Sequence, residues 1–268
     1  TVSVSGQIRD FGFDEWETIK SSTSGSTEQY DVPKGLYGTS NPGIMTINEM
    51  FGSNLPELFS YTVSPVEGQS GKAAKLQTVY TYMFLNGMDF NALLGGLVPY
   101  VTAGSLFTGI FKTDMNNTLN STKFGVPFVG EPATFTGYYK YTPGTTYYNN
   151  KNEVVADKTD ECSIYAVLYE ELLDEENNNI PLNGDYNDPD LYIGSSKRIV
   201  MKAVLEDGTA KSDWTKFSIP FKLLEGKSYD ATKKYYLAIV CSSSAEGDYF
   251  MGAPGSTLFI DSFTVTPQ

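Results

Sequence analysis

The chain carries no histidine in 268 residues. That excludes Ser-His-Asp and Cys-His nucleophile systems, His-ligated zinc and imidazole proton shuttles. What remains for acid–base work is a pair of carboxylates, helped by Tyr or Lys, as in glycoside hydrolysis. With 32 Asp and Glu residues, spacing cannot pick the pair, because the two groups meet across a cleft about 5 to 9.5 Å wide. Asp248 with one of Asp14, Glu15 or Asp213 is an arrangement a hydrolase could use, and no residue is assigned as catalytic. A second chemistry is oxygen ligation of calcium. Asp185, Asn187, Asp188 and Asp190 look superficially like a calcium loop. Pro189 takes its fifth position, however, glycine is missing at the sixth and Glu at the twelfth, so the segment reads as a turn.

Stacking is the third chemistry, since sugar rings present C–H faces to aromatic side chains and pockets for them combine a ring or two with a few polar groups. Trp16, Tyr37, Tyr138, Tyr139, Tyr141, Trp214, Tyr249 and Phe250 are the candidates, although filling a sandwich core accounts for most such rings. Trp214 differs from the rest. It shares strand parity with Lys216 and Ser218, opposite to Phe217 and Ile219, and is therefore expected on a surface or in a cleft.

The elements that must position these groups are strands. Short alternating runs bounded by Gly, Pro, Asn and Asp recur along the whole length, at residues 11–16, 73–81, 105–111, 133–141, 162–170, 198–204, 214–220, 235–242 and 257–266. Nine or ten strands fit two face-to-face antiparallel sheets. Aromatic residues are 14% of the chain, with 19 Tyr, a composition suited to strands and wet surfaces. Residues 21–28 read as a flexible polar loop, 86–97 as a helical turn or loop excursion, and the acidic run from Glu170 to Glu176 as a hairpin tip or a strand extended into solvent. No repeat of 20 to 50 residues is visible.

The net charge of −13 and only two arginines, Arg9 and Arg198, exclude nucleic acid as a partner. No stretch approaches the roughly 18 apolar residues of a membrane helix. The polar start of the chain is not a signal peptide, so any export signal or lipid anchor is expected to have been removed. Cys162 and Cys241 are expected as buried free thiols, with pairing as the other outcome.

Several runs together carry a family resemblance: FGFDEW at 11–16, GKAAKLQT at 71–78, AGSLFTG at 103–109, GVPF at 125–128, TGYYKY at 136–141, VCSSS at 240–244, GDYF at 247–250, GAPGS at 252–256 and LFID at 258–261. In this order they resemble the putative carbohydrate metabolism domain family. The resemblance implies an all-β jelly-roll sandwich similar to carbohydrate-binding modules, in exported proteins of glycan-degrading gut bacteria, often surface or periplasmic lipoproteins. Residues 1–8 would be a linker or the remnant of an upstream domain, and 9–268 the domain itself.

No cofactor is required, but a structural calcium would bridge Asp14, or Glu15 beside it, and Asp261. The alternative is that these carboxylates hold loop amides. The segment after 241 would offer Ser243, Asp248, Tyr249 and Phe250 to a sugar, or be a demanding turn whose Gly and Ser serve backbone geometry. Together with Trp214, Tyr37 and Trp16 these form the expected ligand-binding set. The expected function is non-catalytic binding of an oligo- or polysaccharide at the cell surface or in the periplasm, within a glycan-uptake assembly and with membrane contact only through a lipid anchor. The alternatives are a carboxylate-pair glycoside hydrolase and a cell-surface protein–protein assembly or adhesion module.

Overall fold

A computed structural model describes residues 9–114 and 116–268, and residues 1–8, expected as a linker or domain remnant, lie outside the described residues. Alternation of side chains builds the architecture. Along the strand Tyr235–Ser242, Tyr235, Leu237, Ile239 and Cys241 enter the main core, while Ala238 and Val240 enter a second apolar cluster on the other side.

The back sheet runs, in spatial order, Lys211–Pro220, Pro132–Thr142, Thr257–Pro267, Lys72–Gln77 and Val63–Glu67, with Arg9–Asp10 also against Thr257–Pro267. The front sheet runs Thr122–Phe124, Ser105–Phe111, Tyr235–Ser242, Ser163–Glu170, Ile199–Val204 and Lys222–Leu223. Val126–Phe128 and Tyr37–Thr39 pair at its flanks. Neighbouring strands pair antiparallel. The chain crosses from sheet to sheet repeatedly, as in the expected jelly-roll sandwich.

Between the sheets lies a core whose centre is aromatic. Phe135, Phe217 and Phe263 meet edge to face at centroid distances of 5.0 to 5.6 Å, and Phe13 meets Phe263 at 5.2 Å. Gly137 is what lets them close up, since a Cβ there would sit 2.4 Å from the Phe263 ring. Cys162 and Cys241 are buried in this core as free thiols, and burial pushes the Cys162 thiol up to about 12.

The expected strand at 11–16 does not form as such. Asp10 accepts the Gly12 amide at 2.8 Å and bends the chain, so Phe11 and Phe13 plug the core from an irregular segment. Trp16–Lys20 then opens a separate hairpin with Gln29–Pro33. In the loop of that hairpin, Ser21, Thr23 and Ser26 donate hydroxyls to Glu49.

Glu49 belongs to a helix that the strand pattern did not anticipate, Asn41–Phe51, with Pro in its first turn and Ile44 and Ile47 buried. Residues 86–97 hold the short helix Phe90–Leu93, capped by Asp89, which accepts the Ala92 amide at 3.0 Å. No helix among the described residues is long and apolar enough to cross a membrane.

Candidate functional site

The outer face of the front sheet is apolar, and two elements cover part of it. The segment between Ser163–Glu170 and Ile199–Val204 folds back so that Leu182 and Ile193 pack on Phe107, Val167 and Tyr169. Arg198 fixes that fold-back. Its guanidinium donates to the Glu170 and Ile180 carbonyls at 3.0 and 2.8 Å and lies 5.0 Å from the Tyr169 ring centroid. The helix Asn41–Phe51 forms the other flank. Between them a groove of about 260 Å³ remains, floored by Phe107, Tyr165 and Val240 and walled by Met50, Phe111 and Tyr192.

The segment after Tyr235–Ser242 closes one side of this groove with Asp248 and Phe250. Gly247–Tyr249 forms a single tight turn, and Gly247 is needed because a Cβ would fall 2.5 Å from that of Ala103. Phe250 then takes a left-handed φ of 58°, a conformation that costs a bulky side chain on the order of 1 kcal/mol or more. A strained, fixed Phe beside a carboxylate is the kind of arrangement that ligand clamps maintain.

Tyr192 donates its hydroxyl to Asp248 Oδ2 at 2.5 Å. Asp248 is exposed at the rim of the groove, and partial desolvation on its inner side raises its carboxyl above the usual Asp range, against the lowering effect of that hydrogen bond. Asp248 is the only carboxylate among the described groove-lining residues.

The base of the loop is tied down by a residue that sequence reasoning missed. Asp160 is 2% exposed and accepts hydrogen bonds from Ser244 Oγ, Ser256 Oγ and the Ala253 amide at 2.6, 2.7 and 2.8 Å. Burial raises its carboxyl, and these donors pull the other way. Glu246, at the start of the turn, pairs with Lys158 and Tyr147. The serine-rich signal was present in the sequence, but its partner lies 84 residues away.

Of the expected ligand-binding set, the structure brings only Asp248 and Phe250 into the groove. Ser243 is fully buried, with its hydroxyl shared between Thr78 Oγ1 and the Gly104 amide at 2.7 and 2.9 Å, so no ligand can reach it. Tyr37 donates to the Phe11 carbonyl at 2.5 Å, and Trp16 Nε1 donates to that of Phe13 at 2.7 Å. Both lock the irregular 11–16 segment onto the core instead of facing a groove. Tyr249 is 40% exposed and stacks on Tyr186 at 5.1 Å. Trp214 does point away from the core as its parity required, but from the back sheet, where Lys140 Nζ lies 4.9 Å from its ring centroid. Tyr139 and Tyr141 are core residues, while Tyr138 is partly exposed on the outer face of the back sheet.

Asp14 and Asp261 flank one turn. Asp261 Oδ2 accepts the Gln69 and Ser70 amides at 2.7 and 3.0 Å, and Asp14 Oδ1 accepts the Lys72 amide at 3.0 Å. Glu15 instead reaches Lys34 at 3.4 Å. The amides take one oxygen of each carboxylate, and no group of three or more His, Cys, Asp or Glu is gathered for a metal among the described residues. As placed, the pair holds the turn amides, the other role expected of these carboxylates.

Residues 12–266 match the family described as putative carbohydrate metabolism domain. The chain belongs to that family. Two solved structures share its fold. A putative glycoside hydrolase from Bacteroides thetaiotaomicron is 30% identical with a TM-score of 0.72, the match covering 95% of this chain and 69% of the other. A putative glycoside hydrolase from Bacteroides vulgatus is 26% identical with a TM-score of 0.68, covering 95% and 96%. No curated protein matches the sequence.

Proposed function

We propose that this member of the family is a non-catalytic glycan-binding module whose ligand lies in the groove on the outer face of the front sheet. The supporting observation is the make-up of the groove: an apolar trough with one carboxylate, held by Tyr192, beside a conformationally fixed Phe250. Aromatic and aliphatic walls take the C–H faces of a sugar, and Asp248 with Tyr192 takes its hydroxyls. A volume of about 260 Å³ is small among ligand pockets and suits a short oligosaccharide or a chain end.

A carboxylate-pair hydrolase needs a second acid facing the first. Asp14 holds a turn amide, Glu15 meets Lys34, and Asp213 lies on a back-sheet strand beside Ser212. None of the three lines the groove. The hydrolase reading keeps one observation in its favour, the raised carboxyl of Asp248, although that side chain is exposed at the groove's rim. In the binding reading, the module works outside the cytoplasm, at the cell surface or in the periplasm, delivering glycan to an uptake assembly through a lipid-anchored parent chain.

A glycan array probed with the purified chain, followed by reducing-sugar assays on each hit, separates the two. Binding without sugar release is expected. Release that disappears in Asp248→Asn would make the groove an active site.

A further inference from the structure

Five aromatic rings meet on a surface outside the groove. Tyr80 stacks on Tyr148 at 5.0 Å, Tyr82 lies 5.5 Å from Tyr80 and 5.7 Å from Tyr100, and Phe84 lies 6.1 Å from Tyr82. Three separate stretches of chain supply them. Along residues 79–85 the pattern alternates: Thr81, Met83 and Leu85 are buried, whereas Tyr80 and Tyr82 are half-buried and Phe84 is 61% exposed. An outward-facing row would ordinarily be polar, and here every member is aromatic. Tyr100 comes from the adjacent stretch of the same chain, its carbonyl accepting the Thr81 amide at 2.8 Å, and Tyr148 from the loop that bridges to Gly252.

Two hydroxyls are fixed in place. Tyr80 donates to Asn152 Oδ1 at 2.5 Å and Tyr100 to Asp89 Oδ2 at 2.9 Å. The rings therefore lose little further freedom when a ligand settles on them. Tyr80 and Tyr148 cover each other's faces, so the open ring surface of the row lies at Phe84 and, beside it, Tyr82. None of the five rings lines the groove.

We infer that these rings form a second carbohydrate site, on which an extended neutral polysaccharide lies with sugar faces on the exposed ring of Phe84 and on Tyr82 beside it, while the Tyr80–Tyr148 stack and Tyr100 brace the row. The choice of occupant follows from the row itself, which matches ligands alternating C–H faces with hydroxyl edges, and from the carbohydrate family to which the chain belongs. The site is separate from the groove and stands whether or not the groove takes a ligand.

The test is native affinity electrophoresis of the whole chain in gels containing xylan, laminarin, hydroxyethylcellulose, galactomannan or pullulan. At least one polysaccharide is expected to retard the wild type. Tyr82→Ala, at the hub of the rings, and Phe84→Ser, at their most exposed member, should each weaken that retardation, the double variant by about tenfold or more. Phe250→Ala in the groove should leave it measurable. Phe84→Ser removes no hydrogen bond, so it remains informative if Tyr82→Ala lowers the melting temperature.

Platform variants that migrate like the wild type overturn the inference, as does a wild type that no polysaccharide retards. Self-association of the wild type in sedimentation experiments, abolished by Phe84→Ser without any glycan effect, would assign the rings to a protein contact and overturn it equally.

Discussion

The two sheets share one core but differ on their outer faces. The back sheet turns Thr134, Thr136, Lys140, Lys216, Thr264 and Thr266 outward, with Thr136 and Thr264 joined hydroxyl to hydroxyl at 2.5 Å, and its outward aromatics Tyr138, Trp214 and Phe259 remain partly exposed, Lys140 lying over the last two. It needs no cover. The front sheet turns Phe107, Val167, Tyr169, Ala238 and Val240 outward, and all five are buried. A sheet apolar on both faces must be covered on both. The fold-back loop and the helix Asn41–Phe51 do this incompletely, and the uncovered remainder is the groove. The groove proposed to bind glycan thus follows from which sheet carries a second apolar face.

The sharpest way to break that comparison is to truncate one aromatic on each outer face. Phe107→Ala opens a cavity under the groove floor and should cost about 3 to 5 kcal/mol in denaturant unfolding. Trp214→Ala on the back sheet should cost less than about 1 kcal/mol, because the Lys140 contact is partly exposed. Similar losses from the two substitutions would mean that the outer faces are energetically alike.

Asp160→Ala is expected to follow in size, at about 3 kcal/mol, since it strands two buried hydroxyls and an amide. It should also release the Asp248–Phe250 turn, so ligand affinity falls with stability. Asp248→Asn should leave the melting temperature near that of the wild type and reduce affinity, which separates the residue that anchors the loop from the residue that faces the ligand.

The smallest expected effect is on pH dependence. Both Asp160 and Asp248 have carboxyls raised in the folded state, so each binds its proton more tightly folded than unfolded. Their contribution to stability is fully present below the unfolded Asp value of about 3.9 and is lost as pH rises through the raised folded value. Over that window, unfolding curves of Asp248→Asn should fall less steeply with pH than those of the wild type. Identical slopes would count against a raised Asp248 carboxyl.

The sandwich was legible because alternation and turn residues mark strands locally. The run Tyr235–Ser242 was legible as a strand in the same way, while its burial on both faces is seen only in the structure. The helix Asn41–Phe51 was hidden by its own polarity. Asn41 and Asn48 are buried in it, with Asn41 Oδ1 accepting the Thr62 and Val63 amides at 3.0 and 2.9 Å, so its inward stripe does not read as apolar. The 11–16 segment kept its expected aromatic residues but traded strand pairing for the insertion of Phe11 and Phe13.

The candidate site was half legible. Asp248 and Phe250 came from a local run, whereas their partners Tyr192, Phe111 and Tyr165 and the anchor Asp160 are far away in the chain, and no spacing links them. Strand parity placed Trp214 outside the core correctly, but parity cannot say which sheet a strand joins.

The outer face of the front sheet is the proposed seat of the ligand. Calorimetric titration of a glycan-array hit into wild type, Phe250→Ala and Trp214→Ala tests it most directly. Loss of about tenfold or more in affinity for Phe250→Ala, with Trp214→Ala binding like the wild type, is the predicted result. Wild-type affinity in Phe250→Ala together with lost binding in Trp214→Ala would contradict it and move the site to the back sheet.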